Sequence, residues 1–112
     1  IGGSDAIKTH DWHHIVEEKQ PFSFDWIVST QNLVRLEKRI HVEITEFYRQ
    51  RQPRYQRINN MPVDEGLSLR AWLTKHYGSP TASDFNFQHD LGLRILRNDF
   101  HWTPDMQGDA TT

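Results

Sequence analysis

The chain has no cysteine among its 112 residues. That absence excludes a disulfide framework and any zinc knuckle built on thiolates, so a bound metal must be held by imidazole and oxygen donors. It says nothing against a reducing compartment. No apolar run reaches the roughly eighteen residues that a membrane helix needs, and no basic-then-apolar opening marks a signal peptide of the chain's own. No membrane is therefore expected among its partners. An initiator methionine is missing too. The chain begins Ile1-Gly2-Gly3-Ser4, which reads as a junction and so as a processed piece or an excised domain. A surplus of positive charge is also lacking, since the formal net charge is −2. Taken alone, that argues against a polyanionic partner.

The distribution of charge changes this reading. Arg35, Lys38, Arg39, Arg49, Arg51, Arg54 and Arg57 share their stretch with only Glu37, Glu43 and Glu46, and the rest of the chain is acidic. A basic segment inside an acidic protein can steer phosphates locally. Arg35, Lys38, Arg39, Arg49, Arg51 and Arg54 are the candidates for nucleic-acid contact. The competing reading is a solvated helix face with pairs such as Arg39–Glu43 one turn apart. Trp12, Trp26, Trp72 and Trp102 give a heavy aromatic load that favours an ordered globule, with Trp12 read as a core anchor. A chain of this length is one domain that removes roughly two thirds of its unfolded surface from water.

Hydrophobic patterning divides the chain. Residues 1–9 read as a flexible lead. Asp11 to Val16 reads as a short strand and Gln31 to Leu36 as a second one. Between them, residues 17–30 form a loop-rich excursion whose Phe22, Phe24, Trp26 and Ile27 could pair as a strand or pack back over the site. From Glu37 to about Gln50 the period turns helical, with Ile40, Ile44, Phe47 and Tyr48 in one stripe and His41 and Thr45 along its edge. Residues 10–51 are thus a strand–strand–helix unit, and 52–66 a loop. Residues 67–100 hold a helix from Leu69 to Tyr77, capped by Ser68, and another through about Phe100, capped by Ser83 or Asp84. Leu91, Ile95 and Phe87 make the core face of the last helix, with Gly92 as its weak point. Residues 101–112 read as a frayed tail. The class is α+β, with a small core followed by two or more packing helices.

The informative chemistry is His13-His14 at the end of the first strand, followed by Asn32 and then His41. Side chains alternate along a strand, so the adjacent imidazoles are expected to point to opposite faces. Hydrolysing a phosphodiester requires a deprotonated water, stabilisation of the charge on phosphorus, and neutralisation of the leaving oxygen. A divalent cation can do the last two, and an imidazole, which titrates near neutrality, can do the first. His13 and His41 suit one cation held between strand and helix, with Asp11 or Glu17 as further ligands, and His14 would project toward the water. Asn32 both donates and accepts, which suits it to fixing the base. His10, His76, His89 and His101 have no partner at a useful spacing and are read as structural or surface residues.

In three stretches the chain resembles the HNH/endonuclease VII group, the His-Me finger or ββα-metal nucleases, and in particular the nuclease tips of bacterial polymorphic toxins. These are Trp12-His13-His14-Ile15-Val16-Glu17, Ser29-Thr30-Gln31-Asn32-Leu33-Val34-Arg35, and Ile40 to Tyr48 with His41. Leu67 to Leu73 and Leu91 to Leu96 are similar to helices that follow the finger in some of those toxins. The resemblance implies His13 and His41 as metal ligands, His14 as general base, and Asn32 as the residue that holds the loop and orients the base. Where many relatives carry a second helix histidine, this chain has Thr45. That points away from a three-histidine zinc site and toward one loosely held divalent ion, Mg²⁺ first, with Zn²⁺, Mn²⁺ or Ni²⁺ as alternatives. Ile1-Gly2-Gly3 also resembles the residues after the cleavage point of Rhs-type carriers. The implied setting is an antibacterial toxin freed from a larger carrier, delivered into a target bacterium's cytoplasm by a contact-dependent route such as type VI secretion, and neutralised in its producer by an acidic immunity protein. The expected activity is DNA cleavage of low sequence specificity. The alternatives are a metal-containing module that only binds nucleic acid or protein, and a ribonuclease.

Overall fold

The computed structural model describes residues 9–58 and 60–104. Most of the expected flexible lead, and residues 105–112 of the expected tail, lie outside that range. The protein is α+β. Strand β1 (His10–His14) pairs antiparallel with β2 (Leu33–Glu37), with His13 opposite Val34 and Trp12 opposite Arg35. Between them lie the short helix α1 (Phe24–Ile27), capped by Ser23, and a 3-10 turn over Thr30–Asn32. The excursion contains no strand. Helix α2 (Lys38–Arg49) follows β2 without a loop, and its first N–H, on Lys38, donates to Thr9 O. Then come α3 (Pro53–Gln56), α4 (Leu69–Tyr77) and α5 (Ala82–Phe100).

Alternation on the two strands builds the inner face. Val34 and Leu36 are buried beneath α2, whose Ile44 and Tyr48 meet them, and α4 and α5 close the core with Leu69, Trp72, Leu91 and Ile95. Each such side chain contributes about 1.5–3 kcal/mol by leaving water. The expected stripe on α2 is thus the packed one. Trp12 is a correction. It falls on the outer face, is 51% exposed, and anchors nothing in the core.

Two stretches read as irregular carry structure. Pro53 at the first position of α3 forms a helical turn that buries Tyr55 and Gln56. Proline is preorganised for that position. Gln56 then ties the following segment by accepting from Asp64 N at 2.7 Å. At the other end, His101 adopts the left-handed conformation (φ 56°), which lets Trp102 N donate back to Leu96 O and buries the Trp102 ring. The start of the expected frayed tail is therefore held in place through Trp102. Ser68 caps α4 as expected, by accepting from Ala71 N. The cap of α5 is Thr81, whose hydroxyl accepts from Asp84 N, in place of Ser83 or Asp84.

Gly92 is the closest approach between α5 and the strand end. A methyl group there would lie 2.7 Å from Ile15 Cγ2 and 2.9 Å from Ile15 O. The helix reaches the residue after His14 only because position 92 has no side chain. Alanine is the better helix former by about 1 kcal/mol, yet Gly92→Ala is expected to destabilise by about 1–3 kcal/mol, because a backbone carbonyl must yield. Urea denaturation checks this, and a variant more stable than wild type would show that α5 moves off freely.

Candidate active site

His13 and His41 come together. His13, on the inner face of β1, is 5% exposed, and its ring centroid lies 5.4 Å from that of His41 on α2, edge to face. The contact follows from the absence of a loop between β2 and α2, which lays the first turns of the helix across the sheet. Burial, and then the neighbouring His41 and His14, push the His13 pKa down from 6.5 to about 3. Its imidazole is neutral and makes no hydrogen bond to another described residue.

Asp11 orients His41. Its Oδ1 accepts from Lys38 Nζ at 2.9 Å and its Oδ2 lies 3.2 Å from His41 Nδ1. Lys38 first, and then His41, hold the Asp11 carboxyl below the usual carboxylate range. An ionised carboxylate only accepts, so His41 donates from Nδ1, which leaves Nε2 as the ring nitrogen available to a metal. A carboxylate behind a histidine is the usual arrangement around a metal-bound imidazole.

His14, at the last position of β1, has Nδ1 3.5 Å from Glu18 Oε1. The expected separation of the two adjacent imidazoles is only partial. Both line one cleft of about 240 Å³, together with Glu17, Glu18, Lys19, His41, Thr45 and Arg70. Strand alternation does not carry past β1, because the chain turns there.

Asn32 makes no side-chain hydrogen bond to His14, which corrects the expectation that it fixes the base directly. Fully buried, it accepts from Val16 N at 2.8 Å and donates to Val16 O at 3.1 Å and Ile27 O at 2.9 Å. Its backbone carbonyl also accepts from Ile15 N. Asn32 holds the loop, and it orients His14 only through the two residues that follow it.

Neither Asp11 nor Glu17 is free to complete a coordination shell. Asp11 is committed as described, and Glu17 makes a two-point pair with Arg70 at 2.8 and 2.6 Å. Among the described residues no three His, Asp or Glu side chains converge as a ready-made cage. Two imidazoles, one backed by a carboxylate, fit a divalent ion whose other positions go to water or substrate. They do not fit a closed structural site, which uses four protein ligands. Thr45, where a further ligand could stand, donates its hydroxyl to His41 O.

The basic candidates lie elsewhere. Arg49 pairs with Glu46, Arg39 with Glu43 at 3.9 Å, and Arg54 with Asp99 while covering the Tyr55 ring. Lys38 reaches the site only through Asp11. Arg35 stands opposite Trp12 on the outer face, and Arg51 is exposed. None of the six lines the histidine cleft. The cations that do, Lys19 and Arg70, come from the excursion and from α4, and no local pattern signals them. Of the remaining histidines, His89 donates to Gln31 O at 2.8 Å, a structural tie between α5 and the 3-10 turn.

Two predictions arise here. Asp11→Asn keeps the shape but removes the charge behind His41, so metal affinity is expected to fall about 10–100-fold. Calorimetric titration with Mn²⁺ or Zn²⁺ reads this, and unchanged affinity would remove His41 from the metal site. The second concerns acid. The folded pKa of His13 lies below its unfolded value, so the unfolded chain binds the proton first. The stability contribution is complete above pH 6.5 and is lost as pH falls toward 3. At about 1.4 kcal/mol per unit, the loss is on the order of 5 kcal/mol. In chelator, the urea midpoint of wild type should fall across that window, and that of His13→Leu should fall much less.

No family model, curated protein or solved structure matches this chain.

Proposed function

We propose that the protein is a metal-dependent nuclease of the ββα-metal type that cuts DNA with low sequence specificity. The observation that carries this reading is the meeting of His13 and His41 beside His14 in one open cleft. His13 and His41 would hold the divalent ion, Mg²⁺ first by the donor count. When bound, it supplies Lewis-acid stabilisation of charge on the phosphate and on the leaving oxygen. His14 takes the proton from the attacking water, with the Glu18 carboxylate 3.5 Å from its Nδ1. The water oxygen forms the new bond to phosphorus as the bond to the leaving sugar oxygen breaks. Arg70 neutralises Glu17, so the cleft presents less negative charge to a phosphate.

The antibacterial setting belongs to the same reading, with a larger carrier, delivery into a target cytoplasm and an acidic immunity protein. Nicking of supercoiled plasmid by the purified chain with Mg²⁺, Mn²⁺, Ni²⁺ or Zn²⁺, abolished by chelator, tests the enzymology. Induced expression in a bacterial cytoplasm tests the toxicity, by loss of stainable nucleoid. Intact plasmid under every metal sinks the nuclease. Digestion of RNA with DNA untouched transfers the activity to a ribonuclease.

A further inference from the structure

The histidine cleft does not end at its own walls. Lys19 and Arg70 also line a second cleft of about 420 Å³, which continues along α4 past Ser68, Ala71 and Thr74 to Lys75. We infer that this continuous groove is the track for the sugar–phosphate backbone of DNA, with Lys19 and Lys75 as its phosphate contacts. The identity of the polyanion rests on the nuclease reading above.

The second cleft is lined by three cations and no carboxylate. Lys19 is exposed and in no ion pair with a described residue. Lys75 has only Asp64, at 3.8 Å, and both side chains are largely in water. Arg70 is spent on Glu17 and acts as the fixed wall between the two clefts. The backbone that carries Lys19 is anchored. Its neighbour Gln20 is buried, donates to Arg70 O, and accepts from Thr74 Oγ1 and Gln88 Nε2. The backbone of an uncommitted lysine is therefore held at the place where the two clefts meet. By contrast, Arg49 on α2 and Arg54 on α3 already face carboxylates at close range. Lysines bind phosphate as point charges and read no base, which agrees with low sequence specificity.

The test measures binding of a short fluorescein-labelled DNA duplex of mixed sequence, in chelator so that nothing is cut, over a range of salt. Lys19→Glu with Lys75→Glu is expected to weaken binding by about tenfold or more and to flatten the salt dependence by about 0.9 for each phosphate no longer neutralised. The neutral pair Lys19→Gln with Lys75→Gln should do the same to a lesser degree. Arg49→Glu with Arg51→Glu should change affinity far less. Unchanged affinity and slope in the lysine variants, or an equal loss in the arginine variant, overturns the groove. So does binding of a matching RNA duplex with none of the DNA. A chain that binds DNA through the lysines but fails to cut it with any of the metals leaves the groove standing and sinks the nuclease. Wild-type cleavage by the lysine-reversed chain does the opposite.

Discussion

His14→Ala is expected to lose about 10²–10⁴-fold in DNA cleavage while keeping nearly all of its affinity for the divalent ion. The two parts of this result come from different atoms. On the proposed reading, metal affinity resides on His13 and His41, whose rings meet edge to face across the strand–helix contact. His14 lines the same cleft, its Nδ1 3.5 Å from the exposed Glu18. Removing it takes away a proton acceptor and leaves both ligands and the Asp11–His41 pair in place. His41→Ala should do the reverse, with affinity falling first and cleavage with it, partly restored at high metal concentration. Single-turnover plasmid nicking at saturating metal, beside calorimetric titration of the same samples, separates the two. Cleavage by His14→Ala at the wild-type rate would show that another group takes the proton. Loss of affinity in parallel with activity would make His14 a ligand.

What can be read from the sequence follows the range of the interactions. The helix over Lys38–Arg49 and the cap at Ser68 are set within a turn or two, and period and cap chemistry reveal them. The pairing of His13 with His41 is legible because β2 runs straight into α2, so sequence order almost dictates the contact. Trp12 misleads because a two-stranded sheet with helices on one face leaves its other face to solvent, and a large ring alone does not say which face it takes. Asp11 reads as a metal ligand from its place beside the histidines, yet its partners, Lys38 and His41, lie on the helix. Lys19 and Arg70 escape notice for the same reason on a longer scale. The excursion between the strands is fixed to α4 and α5 by Gln20, a polar residue whose burial no periodic pattern announces. Basic residues clustered in sequence draw attention to α2, but there the neighbouring glutamates answer them.

Asn32→Leu is expected to be the most destabilising single change of similar volume near the site. The side chain satisfies three backbone groups at once: Val16 N–H, Val16 C=O and Ile27 C=O. All are held where Asn32 itself is fully buried. Leucine fills the space and answers none of them. At about 1–3 kcal/mol for each group left unpaired, and with some relaxation, a loss on the order of 3–5 kcal/mol follows, a large share of the stability of a typical small domain. Asn32→Asp distinguishes a clasp from mere volume. Its carboxylate can still accept from Val16 N–H, but it cannot donate, and it brings negative charge against two carbonyl oxygens. Burial should raise the pKa of that carboxyl above its unfolded value, so its deficit grows as pH rises through and beyond the carboxylate range. Urea denaturation across pH should therefore show the Asn32→Asp deficit shrinking in acid, where a protonated carboxyl regains one donor, while the Asn32→Leu deficit stays flat. Cleavage per folded molecule should fall less than stability in both variants, because Asn32 reaches His14 only through Ile15 and Val16. A variant that kept wild-type stability and lost cleavage would place Asn32 in the chemistry instead of in the frame around it.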